Sequence, residues 1–93
     1  MRITADISLY PLAENFTPAI IDFIERLRAE PGLEVLTNQL STQARGEFAA
    51  LTGAIDRCMR RTMEQGGPLV FVVKYLNADL PIARAPSLTP DAQ

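Results

Sequence analysis

The 93-residue chain has no histidine, one cysteine (Cys58) and one lysine (Lys74), so that eight of its nine basic residues are arginine. Each scarcity excludes something. Without an imidazole there is no Ser-His-Asp or Cys-His nucleophile and no histidine-based catalytic zinc site. A lone cysteine forms no internal disulfide, and the fold must stand without covalent staples. No CxxC or HExxH spacing and no paired-acid motif appears, so neither a metal nor a cofactor is expected, while carboxylate or lysine catalysis stays open. No apolar run nears the roughly 18 residues needed to span a bilayer, and "MRITADISLYPL" alternates polar with apolar, unlike a signal-peptide core. The expected compartment is the cytoplasm. A formal charge of -2 offers no electrostatic reason to bind nucleic acid or an anionic membrane. The basic cluster "RCMRR", residues 57 to 61, lacks interleaved aromatics and reads as a solvated helix face, with Cys58 on the apolar stripe as a buried small hydrophobe.

What remains is ordinary globular material, 47% hydrophobic and 22% charged, at a length that suits one small core. Residues 2 to 10 alternate cleanly: Ile3, Ala5, Ile7 and Leu9 on one face, Thr4, Asp6, Ser8 and Tyr10 on the other, a half-buried strand. Thr17-Pro18 starts a helix to about Ala29, with Ile20, Phe23, Ile24 and Leu27 as its apolar stripe and Pro31-Gly32 as its stop. "LEVLT" and the segment from Ser41 to Arg45 are spaced as a hairpin turning at 38 to 41. A second helix runs from Glu47 to about Glu64, its apolar face formed by Phe48, Leu51, Ile55, Cys58, Met59 and Thr62, and "GGP" ends it. The final strand, "LVFVVKYLN", is apolar on both alternating faces and calls for cover on two sides. The order β-α-β-β-α-β predicts an α+β, ferredoxin-like sandwich: a four-stranded antiparallel sheet with both helices on one face. Residues 1 to 78 form the domain, and residues 79 to 93, proline-rich and without period, are expected to be a mobile tail. An apolar last strand on an open sheet face predicts self-association through the sheet, as a dimer or tetramer.

With the elements placed, "ISLYPL", "NFTPAIIDFIERL", "GLEVLTNQLSTQARGEF" and "VFVVKYLNADL" together resemble the YkoF-like thiamine- and hydroxymethylpyrimidine-binding proteins. The resemblance runs from residue 3 to about residue 80. "LYPL" and the "TNxxST" hairpin followed by Gly46 are its most specific pieces. It implies a ferredoxin-like fold, assembly from two or more single-repeat copies, and binding of a vitamin without turnover, for salvage or delivery.

That implication gives meaning to the surplus polarity of "TNQLSTQARG", residues 37 to 46, where a plain hairpin needs only two or three turn formers. An aminopyrimidine edge can be read by amides and hydroxyls, which supply donors and acceptors together, and Asn38, Ser41, Thr42 and Ser8 are suitable types. Tyr10, with Tyr75 or Phe71, would supply an aromatic wall, and Asp6 a counter-charge for a thiazolium ring. Lys74 and Asn77 complete the candidate set. A pyrophosphate would call for a glycine-rich cradle or a metal-carboxylate grip, so the unphosphorylated compounds are favoured. Other readings stand beside these. Asn38 and Ser41 are common turn formers, Thr42 is a good strand residue, and Asp6 may equally form an ion pair with Arg45. The whole open face may also be only the oligomer interface of a regulatory or assembly module. A cofactor-independent oxygenase on the same topology is disfavoured by the missing histidine.

Overall fold

The computed structural model of the chain describes residues 1–12, 14, 17–65 and 67–89. Along the chain run β1 (Arg2–Pro11), α1 (Thr17–Ala29), β2 (Glu34–Thr37), β3 (Thr42–Glu47), α2 (Phe48–Gln65) and β4 (Leu69–Leu76). The strands form one sheet in the order β2-β3-β1-β4, every neighbouring pair antiparallel, which is the ferredoxin-like α+β arrangement.

One face of that sheet is buried. Ile3, Ala5 and Ile7 from β1 and Ala44 from β3 meet Phe23 and Leu27 of α1 and Leu51, Ala54, Ile55 and Cys58 of α2, with Phe71 and Val73 of β4 packed against them. Phe71 tilts against Phe23, their ring centroids 5.1 Å apart, an edge-inclined geometry that suits two quadrupoles. The expected α2 stripe differs at two positions: Ala54, within it, is buried, and Phe48, the first residue of the helix, is exposed.

Two glycines are fixed by geometry. Gly32 has φ +79°, a left-handed residue that lets the chain reverse out of α1 into β2. Gly46 lies inside β3, and a Cβ there would come within 2.6 Å of Leu33 Cδ2 and 3.0 Å of the Gly32 carbonyl oxygen. The turn that leads into β2 packs against β3 this closely only with that methyl missing.

The other face carries no helix. Cross-strand register places Arg2, Thr4, Asp6, Ser8 and Tyr10 of β1 on it, with Gln43 and Arg45 of β3 and Val70, Val72, Lys74 and Leu76 of β4. Beyond β4 the chain turns back across its lower end. Thr4 Oγ1 donates to the Ala78 carbonyl at 2.7 Å and accepts from the Leu80 amide at 2.9 Å, and Arg45 donates to the Leu80 carbonyl. Arg2 Nε reaches Asp79 Oδ2 at 2.9 Å. Asp79 and Leu80, the first residues of the tail in the sequence reading, are thus tied down to β1 and β3, while residues 90–93 lie outside the described residues.

Candidate functional site

The upper end of the sheet is built differently. The β1-β3 ladder ends at the Ile7-Thr42 pair, yet β1 stays paired with β4 as far as Pro11. Past Ile7 the hairpin peels away and leaves a gap. Backbone groups alternate sides along a strand, so one of Ser8 and Leu9 turns its N–H and C=O toward this gap without a strand to receive them. The gap opens into a hollow of about 200 Å³ lined by Ile7, Ser8 and Leu9 of β1, Ile20 and Ile24 of α1, and residues 37 to 42 of the hairpin.

The hairpin is rigidified by its own polar groups. Asn38 Oδ1 accepts from the Leu40 amide at 2.9 Å and the Ser41 amide at 3.0 Å, while the Asn38 amide bonds the Ser41 carbonyl at 3.0 Å. This Asx turn consumes the carbonyl half of the side chain. The Asn38 NH2 group keeps its donors. Thr37 and Thr42 hydroxyls pair at 2.9 Å. Ser41 Oγ donates to Asp6 Oδ1 at 2.6 Å, and Asp6 Oδ2 stands 3.5 Å from Lys74 Nζ. The lining therefore mixes apolar walls with amide and hydroxyl groups and holds no formal charge, the nearest being the Asp6 carboxylate behind Ser41.

Of the eight candidate residues, Ser8, Asn38, Ser41 and Thr42 come together at this hollow, and Asp6 and Lys74 form its second layer through Ser41. Thr42 reaches it from the helix side, because its strand neighbours Gln43 and Arg45 alternate about it and Arg45 already lies on the open face. Tyr10 is on the open face, 55% exposed and opposite Val70, and does not line the hollow. Its expected aromatic companions are on the other side of the sheet: Phe71 pairs with Leu9 and Tyr75 with Ala5, both helix-side positions. Asn77 follows β4 at the far, lower end of the sheet. Arg45 does not pair with Asp6. Asp6 stands opposite Gln43, whereas Arg45 stands opposite Thr4 and Glu34, so Arg45 Nε lies 2.6 Å from Glu34 Oε2 and 3.7 Å from Asp79 Oδ1. The Glu34 contact is off the line of a hydrogen bond and acts through charge.

Sequence reasoning missed Ile20 and Ile24 as site residues, having assigned them wholly to the core. Two members of the α1 stripe, Ile20 and Ile24, are only half-buried, while Phe23 and Leu27 are fully buried. On the helix side a groove of about 350 Å³ lies among Arg26, Ala29, Glu30, Arg57, Cys58 and Arg61. Its guanidiniums face carboxylates: Arg26 on Asp22 at 2.9 Å, Arg57 on Glu30 at 2.9 Å, Arg61 toward Asp22 at 3.9 Å. Burial, with Glu30 nearby, pushes the Cys58 thiol up, the reverse of what an activated thiolate needs. Among the described residues no three acidic, histidine or cysteine side chains group to hold a metal, and no helix is long and apolar enough to cross a membrane.

No protein-family model matches the chain, nor does any curated protein. Solved structures do share its fold. A hypothetical protein of Methanocaldococcus jannascii superposes with a TM-score of 0.72 at 17% identity, over 97% of this chain and 89% of that one. A Thermotoga maritima protein provisionally assigned to thiamine biosynthesis or salvage gives 0.71 at 17% identity, over 92% and 90%. A domain of unknown function, DUF77, from Bacillus cereus gives 0.71 at 17%, over 85% and 78%. At such identities the likeness is one of fold.

Proposed function

We propose that the hairpin hollow holds the neutral pyrimidine end of a thiamine-related compound, hydroxymethylpyrimidine or thiamine itself, and releases it unchanged, as a YkoF-like salvage or delivery protein would. The observation that carries this reading is the convergence of Ser8, from one strand, with Asn38, Ser41 and Thr42, from a distant hairpin, on one uncharged hollow. An aminopyrimidine presents alternating donors and acceptors around a flat ring. The Asn38 NH2, the serine hydroxyls and the free strand edge at Ser8-Leu9 can meet them, while Ile20 and Ile24 take the ring faces. A volume of about 200 Å³ is below the roughly 300–1,000 Å³ of most ligand sites, which suits one ring inside and any second ring at the mouth. Absence of formal charge in the lining disfavours a phosphate ester. The provisional thiamine assignment of the Thermotoga maritima fold relative points the same way.

The reading includes a second copy of the chain. Val70 and Val72 of β4 are 44% and 42% exposed beside Tyr10 on the open face. Covering this strip would remove apolar surface from water at about 25 cal/mol per Å². A homodimer through the sheet is the expected assembly.

Calorimetry with hydroxymethylpyrimidine, thiamine and thiamine pyrophosphate tests the ligand. The informative variant is Asn38→Asp, which keeps the oxygen that accepts from Leu40 and Ser41 and replaces the NH2 donors with a charged, acceptor-only oxygen. We expect binding of hydroxymethylpyrimidine to weaken at least tenfold, about 1.4 kcal/mol, with the melting temperature little changed. An absence of heat with every compound at about millimolar concentration, where binding free energy is only about 4 kcal/mol, would refute the vitamin reading and leave the sheet face as an assembly surface alone.

A further inference from the structure

A second hollow, about 520 Å³, lies at the lower end of the open face between Gln43 of β3 and the chain segment Leu80, Pro81, Ile82, Arg84, Ala85, Pro86 and Ser87. It shares no residue with the hairpin hollow. We propose that it is a separate small-molecule site, for a flat aromatic carboxylate.

Size is the first argument, since about 520 Å³ falls within the roughly 300–1,000 Å³ typical of ligand pockets. The chemistry of the lining is the second. Leu80, Pro81, Ile82, Ala85 and Pro86 make an apolar wall, and two of these five are prolines, which have no N–H to desolvate and a ring that fixes φ. Such a wall presents itself to a ring without losing entropy on contact. Gln43, the second residue of β3 and opposite Asp6 of β1, contributes to the lining, and no hydrogen bond engages its side chain among the described residues. Arg84 is the one charged group of the lining. One guanidinium matches one carboxylate, through two parallel N–H bonds, and is insufficient for a pyrophosphate.

The third argument is that the wall is held in place. Its first residues are pinned by the two hydrogen bonds of Thr4 Oγ1, by Arg45 on the Leu80 carbonyl and by Arg2 on Asp79. Thr4 is 6% exposed, so its own two bonds are partly sheltered from water, while the two arginine contacts lie at the surface. Farther along, the Ile82 and Arg84 amides bond the Leu80 and Pro81 carbonyls at 2.9 and 3.0 Å, folding the segment into a tight turn. A wall organised before the ligand arrives spares the ordering cost that weakens binding by loose segments.

The test is an amide-resolved NMR titration of the full chain with benzoate. Saturable shifts are expected at Gln43, Ile82, Arg84 and Ser87, including the Gln43 side-chain NH2, with Asn38 to Ser41 unmoved. Arg84→Gln should weaken benzoate at least fivefold, and benzyl alcohol, which keeps the ring and drops the charge, should bind at least fivefold more weakly than benzoate. Thr4→Val, which frees the segment, should abolish the site while leaving hydroxymethylpyrimidine binding at the hairpin intact. Shifts that fail to saturate by about 10 mM, beyond the millimolar range where binding is worth only about 4 kcal/mol, would overturn the proposal. So would shifts centred on the hairpin, or an Arg84→Gln variant that binds benzoate as the native chain does. Because the hairpin reading is tested by Asn38→Asp and a different ligand, either can fail alone.

Discussion

The two ends of the open sheet face solve the same problem in opposite ways. At the lower end Thr4, Arg2, Arg45, Glu34 and Asp79 form a network of hydrogen bonds and ion pairs, and the chain's own segment after β4 closes over it. At the upper end the β1-β3 ladder stops at Ile7, a strand edge is left open beside Asn38, and Tyr10, Val70 and Val72 remain in contact with water. Satisfied polar groups contribute to folding and ask for nothing more. Unsatisfied donors and bare apolar side chains are surface that something else must cover, and the upper end presents both together, whereas Leu76 and Leu80, exposed at the lower end, lie beside a bonded network.

The largest effect that would break this contrast is at Val72, which stands opposite Ser8 in the upper half. Val72→Asp places a carboxylate in the middle of the proposed dimer contact. Self-association measured by sedimentation should weaken at least 100-fold, about 3 kcal/mol, whereas unfolding of the dilute protein should move by no more than about 0.5 kcal/mol, as for other surface changes. Equal association of both chains would mean that the upper end is not the interface.

At the lower end the expected effect is smaller and of another kind. Thr4→Val keeps the shape of a β-branched strand residue and removes the one oxygen that serves both Ala78 and Leu80. Two main-chain groups left unpaired would cost at most about 1–3 kcal/mol each, and less here because both are only partly buried. The segment can lift into water instead, which caps the total near the lower figure. Urea unfolding should show a loss of about 1–2 kcal/mol, and amide exchange at Leu80 should accelerate well beyond that of the β1 amides. An exchange rate at Leu80 already equal to that of an open chain in the native protein would show that the lower end is not closed.

The contrast also explains what the sequence made legible. The β1 alternation, the α1 stripe and the hairpin spacing are local patterns, and each has its element in the structure within about two residues of its expected bounds. The lower network was hidden because Thr4 and Leu80 are 76 residues apart and no periodicity links them. Parity, in contrast, was available and unused: Thr42 and Arg45 differ by an odd number of positions, so within one strand they cannot share a face. The distribution of aromatics over the two faces was not available in that way, since Tyr10 meeting Val70 instead of Phe71 depends on the β1-β4 register, which no local pattern fixes for strands at opposite ends of the domain's sequence. Four candidate residues still reached one hollow because they sit on both sides of a hairpin mouth, where the faces of the sheet meet.

The smallest effect concerns Tyr75, which pairs with Ala5 one position from Thr4 and so reports the packing of the lower end from its helix side. Burial, and then the negative Asp56, raise the Tyr75 phenol above its ordinary value of 10.0. In the unfolded chain the phenol ionises near pH 10, so above that pH the unfolded state has lost a proton that the folded state retains, and stability falls as pH rises toward the folded value. Below about pH 10 both states are protonated and nothing is lost. Tyr75 is 47% exposed, which lets solvent screen both causes and holds the loss below about 1 kcal/mol. Urea unfolding of native protein and Tyr75→Phe, compared at pH 8 and again above pH 10, should therefore show the native chain losing more stability than the variant over that interval. Parallel losses in the two proteins would mean that the phenol is as well solvated folded as unfolded, and that the lower end is less tightly packed on its helix side than its polar network makes it on the other.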